Sequence, residues 1–317
     1  MDSEELSILP PSPPLPPSSL LFTTNDGDII LRAGPEPHSK RDFRVHKFIL
    51  SLASPVFKDM LAFPQPPNQA PDEQHQFPIV DVSDDPASLN MIFQFIYPGV
   101  EPPKITEITV LTSVLSVADK YNIASITPAL RGILKTFIPR FSLRVYMVAC
   151  RFGFSEEVKE AAEVTTAESF SRGNYGQDLQ YISSTDIFRL VQFTQRRKDK
   201  GRNEIRSTFD LMLPAFVACG HDEDARGYYS YLEKAVEEAF VLNPRVESKD
   251  LFTVLDEIPD PPPGCGPPSR SAEWYYGDGD DDVFNCPLRP MTIRKKLMDI
   301  ATELRYNNDV LLHEFFG

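Results

Sequence analysis

Residues 43–61 read "FRVHKFILSLASPVFKDML", and the fold turns on how they are divided. The β-branched and aromatic residues of "RDFRVHKF" (41–48) suit a half-buried strand. The period then lengthens: Val45, Phe48, Ile49 and Leu52 fall at i, i+3, i+4 and i+7, the spacing that lines one face of a helix. At "ASPVF" the chain restarts. Ser54 is placed to accept from the first free N–H groups of a second helix, and Pro55 sits where a missing donor costs nothing, so a short helix is predicted over 55–61. His46, the serines and Asp59 also invite a hydrolase reading. That chemistry needs a nucleophile exposed on a strained turn with a base in reach. Ser51 lies inside a helical pattern, Ser54 is better employed as a cap, and the chain has no G-x-S-x-G. His46 is therefore assigned a packed or hydrogen-bonded structural role.

Outward from this stretch the same grammar recurs. "GDIILRA" (27–33) precedes it as a strand, joined to 41–48 by the long loop "GPEPHSK". "FPIVDV" (77–82) is a third strand candidate. "DDPASLNMIFQFIYPG" opens with Asp85 as N-cap and Pro86 at the first helical position, and places Leu89, Ile92, Phe93 and Ile96 on one stripe. That stripe leaves Asn90, Met91 and Gln94 outward, with Phe95 between the two faces. Further stripes are Leu111, Val114, Leu115 and Ala118, then Leu130, Ile133, Leu134 and Phe137 behind a Thr127 cap, then Val145, Val148, Ala149 and Phe152 between Ser142 and a terminating Gly153. The expected fold class is α+β, a short mixed sheet capped by helices and followed by an all-helical extension.

Proline marks the borders. The chain has 30, clustered in "LPPSPPLPP" (9–17), "PQPPNQAPDEQHQ" (64–76) and "PDPPPGCGPPSRS" (259–271), the last leading into the acidic "GDGDDD". Proline lacks the N–H that a helix needs, so these segments read as tail, surface loop and linker. The expected organisation is a proline-rich disordered tail over 1–20, a first domain over 21–138, a helical extension over 139–258, a linker over 259–290 and a C-terminal helix over 291–317.

Charge and cysteine usage narrow the function. Thirty-two Lys and Arg against 46 Asp and Glu give a formal net charge of -14 over 317 residues, which repels a phosphate backbone. No nucleic-acid partner is expected, and no membrane partner, because no apolar run approaches the length of a span. Four cysteines and an N-terminus without a signal-peptide pattern point to an intracellular protein, cytoplasmic or nuclear, with free thiols. Asp278, Asp280 and Asp282 resemble the start of a calcium loop, but Val283 stands at the glycine position and Arg289 where a bidentate glutamate belongs. Cys265 and Cys286 would be half of a zinc site, and the nearest histidines are His221 and His313. "GCGPPS" lacks the third glycine of a dinucleotide fingerprint. No metal or cofactor is expected. The basic run "QRRKDKGRNEIR" (195–206) reads as a solvated loop, with docking and nuclear import as alternatives. The stripes Ile205, Thr208, Phe209 and Met212, then Leu232, Ala235, Val236 and Ala239, then Leu251, Val254, Leu255 and Ile258, read as core faces.

The order "GDIIL", "FRVHKFILSLASPVFKDML", "IVDVSDDPASLNMIFQFIYPG", with "SLRVYMVACRFGFSEEVKEAA" behind it, resembles a BTB/POZ domain protein of a type abundant in fungi. The resemblance spans about 25–170 and implies a non-catalytic protein-interaction module. It implies that Asp28 and Lys47 are paired charges in a shared groove, that His46, Ser51, Ser54 and Phe57 hold the first helical hairpin, and that Tyr97 closes the third helix. It also implies protein partners, with two readings open: substrate adaptor of a cullin-type ubiquitin ligase, or free-standing scaffold or transcriptional co-regulator with no cullin partner. In adaptors the helix carrying Met91 and Phe95 meets the cullin. Two departures stand out. The exchanged N-terminal helix of dimeric members is replaced by "ILPPSPPLPPSSLLFTTN", which argues against exchange homodimerisation. The apolar-x-glutamate anchor of cullin binders is represented only by Glu73 behind Pro71 and Asp72.

Overall fold

In the computed structural model, residues 22, 26–35, 40–63, 77–166, 170, 175–218, 223–242 and 290–317 are described. The proline-rich tail, the acidic calcium-like run, Cys219, Cys265 and Cys286 lie outside them, as does the 251–258 helical stripe.

The chain divides into two units, residues 1–134 and 135–317. The first is built on a three-stranded sheet in the order β2-β1-β3, with β1 Ile29–Ala33, β2 Arg41–Val45 and β3 Ile79–Val82. β1 runs antiparallel to β2, Leu31 facing Phe43, and parallel to β3, Leu31 facing Val80. The sheet is mixed, as expected, and its central strand is covered on both faces: Ile29, Ile30, Leu31 and Ala33 are all buried. Arg32, the half-buried member of β1, meets Asp42 across the pair through two N–H donors at 2.8 and 3.0 Å.

Among the described residues five α-helices follow: α1 Lys47–Ala53, α2 Pro55–Ala62, α3 Pro86–Ile96, α4 Ile108–Lys120 and, at the border with the second unit, α5 Thr127–Thr136. α3 starts as its sequence dictates, with Pro86 in the first turn and the Asp85 carboxylate accepting from Ser88 N–H at 2.9 Å. Leu89, Ile92 and Phe93 are fully buried, and so are all four stripe residues of α4. Thr127 is not a cap. A turn of 3-10 helix over Ala124–Ile126 runs straight into α5, so Thr127 already has helical angles.

In the second unit α6 spans Ile138–Phe152 and α7 Ser155–Val164. α6 begins four residues before the expected Ser142 and is interrupted at Phe141, whose φ of -137° and ψ of 41° break the helical run. It ends at Gly153, whose φ of 70° is the left-handed angle that favours glycine. α8 Ser184–Ala218, α9 Glu223–Leu242 and α10 Pro290–Phe316 share a core of Ile205, Phe209, Met212, Leu232, Val236, Ile293, Leu297, Ile300 and Leu304. Here the basic segment 195–206 is corrected. It is the middle of a 35-residue helix, not a loop, because the stripe begun by Leu190 and Phe193 continues through Ile205 and Phe209 on one face. Gly201 lies under the Phe240 ring, where a Cβ would overlap the ring atoms.

Candidate interaction surfaces

The helical hairpin α1–α2 is fixed by a buried network. Ser54 has its side chain wholly out of solvent; its Oγ accepts from Phe57 N–H at 2.9 Å and donates to the Tyr121 carbonyl at 2.5 Å. Phe57 stacks on the Tyr121 ring at 4.1 Å between centroids. The Tyr121 hydroxyl donates in turn to Asp84 at 2.5 Å, and Lys120 Nζ grips the same carboxylate at 2.8 Å. The cap expected of Ser54 is thus one arm of a bridge from α2 to the end of α4 and the start of α3. Burial, with Asp84 beside it, pushes the Tyr121 phenol well up.

At the other end of α1, His46 donates its backbone N–H to Tyr97 Oη at 2.8 Å, with Nδ1 at 3.3 Å from the same oxygen. Tyr97 packs edge-on against Phe22, and burial pushes its phenol up to about 12. Asp28 and Lys47 do meet, but not as paired charges. The Asp28 carboxylate accepts from the Lys47 backbone N–H at 2.8 Å. His46, the residue at the N-cap, supplies no side-chain cap, and a carboxylate from the start of β1 does the work instead. The hydrolase reading finds no nucleophile–base pair: the Ser54 hydroxyl is spent on backbone groups and the His46 ring faces a tyrosine. No cluster of three or more His, Cys, Asp or Glu able to hold a metal occurs among the described residues.

The outward face of the hairpin departs from expectation. Phe48, Ile49 and Leu52 were assigned to the inner face, yet Phe48 is 75% and Leu52 78% exposed, while Leu50 is fully buried. The period was counted from Val45, which is the last residue of β2; counted within the helices, the inner stripe is Leu50, Ser54 and Phe57. Phe63 at the end of α2 is 71% exposed and Val56 is 38% exposed. Four large apolar side chains on one helical hairpin are an unusual cost in an acidic protein. The sequence signal was present in the β2-to-α1 boundary at His46.

On α3 the correction runs the other way. Asn90 and Gln94, expected outward, are buried, and Met91 and Phe95 are half-buried. Gln94 donates to the Asn90 carbonyl at 3.4 Å, and the Asn90 Oδ1 has no partner. α3 packs against α4 and α1 and so has little free surface.

In the second unit the basic run is largely committed. Arg197 is buried and donates to the Glu163 and Thr165 carbonyls at the end of α7, and burial pushes its guanidinium down to about 10. Arg196 pairs with Glu314, and Arg202 lies 3.7 Å from Glu237. Cys150 is a free thiol that burial pushes up to about 12, the wrong direction for a nucleophile. No helix among the described residues is long and apolar enough to cross a membrane.

Compared with known families, residues 23–137 match the family model of the BTB/POZ domain. No curated protein matches the chain.

Proposed function

Starting from a chain whose residues 23–137 are a BTB/POZ domain, we propose a non-catalytic protein-interaction module whose contact face is the outer side of the α1–α2 hairpin. The observation that carries this is the exposure of Phe48, Leu52, Val56 and Phe63 together. Those four side chains, doubled across a two-fold contact, supply about 900 Å² of apolar surface, close to the roughly 1,000 Å² of a specific interface. We take a second copy of the chain as the occupant of this face, a contact that requires no N-terminal exchange helix. Self-association through the hairpin is therefore the form of assembly proposed here.

The finer reading is a substrate adaptor of a cullin-type ubiquitin ligase, with α3 as the cullin-facing element and the helical second unit as the client-binding part. The alternative is a scaffold or transcriptional co-regulator without a cullin. The half-buried state of Met91 and Phe95 favours the scaffold. Sedimentation of the full chain tests the primary reading: the native protein runs as a dimer at micromolar concentration, and Phe48→Asp with Leu52→Asp runs as a folded monomer. A native protein that sediments as a monomer at every concentration removes the hairpin from the proposal. Binding to a cullin N-terminal domain at tens of micromolar decides between adaptor and scaffold.

A further inference from the structure

The outward arc of α2 consists of Pro55, Val56, Lys58, Asp59 and Ala62, all exposed, with Phe57 turned into the core. Its two charged residues are neighbours at the middle of the helix: α2 runs Pro55–Ala62, and its midpoint falls between Lys58 and Asp59. Among the described residues neither side chain has an ion-pair or hydrogen-bond partner. Adjacent positions on a helix point about 100° apart, so the two do not neutralise each other. By contrast, Lys40 is paired with Asp81 at 2.7 Å and Lys120 with Asp84 at 2.8 Å.

This order of charges is self-complementary. In a two-fold contact, if one residue of the first copy meets a second residue of its partner, the second also meets the first. When two copies of α2 lie antiparallel in full overlap, each residue faces the one equally far from the other end. Lys58 then meets Asp59 of the second copy, Asp59 meets Lys58, and the small side chains of Pro55 and Ala62 face each other and let the axes approach. Phe63, just past the end of one helix, comes beside the start of the other, which exposed Leu52 closely precedes. The charge of the chain points to the same face. Copies with a net charge of -14 repel, but residues 47–63 carry two lysines, Lys47 and Lys58, against the single Asp59, so copies meeting here bring no net negative charge into the contact.

We infer that Lys58 and Asp59 set the axis of self-association: two reciprocal ion pairs across the two-fold centre α2 on its copy and hold the helices antiparallel. The inference rests on the hairpin contact proposed above and adds its geometry and its selectivity. Such pairs act less by attraction than by exclusion, because like charges brought together across a contact cost far more than an exposed opposite pair gains. A parallel arrangement of the two helices, or one displaced along the axis, loses both pairs.

The test is sedimentation equilibrium at low salt on the full chain, native and carrying Lys58→Glu or Asp59→Lys. Each variant alone places like charges on both sides of the axis and should self-associate on the order of a hundredfold more weakly than the native chain. An equimolar mixture of the two variants, one of them fluorescently labelled, should recover a one-to-one dimer of native affinity, because every pair across the axis again has opposite signs. Unchanged thermal transitions show that both variants are folded, since the substituted side chains are solvated in the single copy. The axis is overturned if either variant alone self-associates as the native chain does, or if the mixture stays monomeric. Self-association that is lost in Phe48→Asp with Leu52→Asp but kept in Lys58→Glu removes the axis and leaves the hairpin contact. A native chain that is monomeric at every concentration removes the contact and the axis with it.

Discussion

Ser54→Ala is the sharpest probe of the hairpin. A surface N-cap removed in this way costs about 1 kcal/mol. Ser54 is not at the surface, and its hydroxyl serves two groups at once, the Phe57 N–H and the Tyr121 carbonyl. Alanine leaves both without their partner in a site closed to water. Each orphaned buried group costs about 1–3 kcal/mol, so a loss of about 2–6 kcal/mol is expected, two to six times that of a cap alone. Asp85→Ala is the internal comparison, because Asp85 also caps a helix that starts with proline but is itself exposed, and it should lose about 1 kcal/mol. Guanidinium titrations followed by circular dichroism give the two losses, and hydrogen exchange on the peptide covering 43–63 assigns the first to the hairpin. Equal losses of about 1 kcal/mol for the two variants would refute the bridging role of Ser54.

Phe57→Ala removes a fully buried ring stacked on Tyr121 and should cost about 3–5 kcal/mol in the same titration, leaving a cavity its neighbours fill only in part. Phe48→Asp with Leu52→Asp should leave thermal stability within about 1 kcal/mol of native, since both side chains are mostly solvated, while abolishing self-association on a sizing column with light scattering. If the chain is a ligase adaptor, Met91→Asp with Phe95→Asp abolishes cullin binding in calorimetry while the thermal transition shows a folded protein; retained binding would remove α3 as the contact. At alkaline pH, Tyr97 is raised from an ordinary value of 10.0 to about 12, so the folded state holds its proton more tightly than the unfolded chain. Its contribution to stability is complete below pH 10 and fades as pH rises to about 12, and thermal melts across that interval, with tyrosinate absorbance alongside, should show the fall.

Much of the first unit was legible because its signals are local. Asp85 with Pro86 and the Leu89, Ile92 and Phe93 stripe sit within one helix, where the period needs no knowledge of anything else. The α1 face was misread because the strand ends at Val45 and the helix starts at Lys47; one periodic count across that border turns Phe48 and Leu52 inward when they point out. Asn90 and Gln94 were misplaced for a different reason. Polarity ordinarily marks the solvated side of a helix, and burial of these two is set by packing on both flanks of α3, which no single-helix pattern records. The 195–206 run carries enough charge to look like a loop, but Arg197 spends its charge on the carbonyls at the end of α7, a partner more than thirty positions away. The Asp28 contact with the Lys47 N–H likewise depends on the β1–β2 register, so the residue pair was visible while the atoms that join it were not.

Gly201 and Phe240 cannot change independently. The ring of Phe240 occupies the space where any side chain at 201 would begin, so the helices carrying them approach at that point as backbone against ring. A lineage that first acquires alanine at 201 must turn the Phe240 ring aside or push α8 from α9, whereas one that first shortens Phe240 leaves a void that a methyl group at 201 fills only in part. The two routes end in the same pair of residues, the first through a crowded intermediate and the second through one with a cavity. The order of the two substitutions, rather than either one, therefore sets which neighbouring sequences this helical unit can reach.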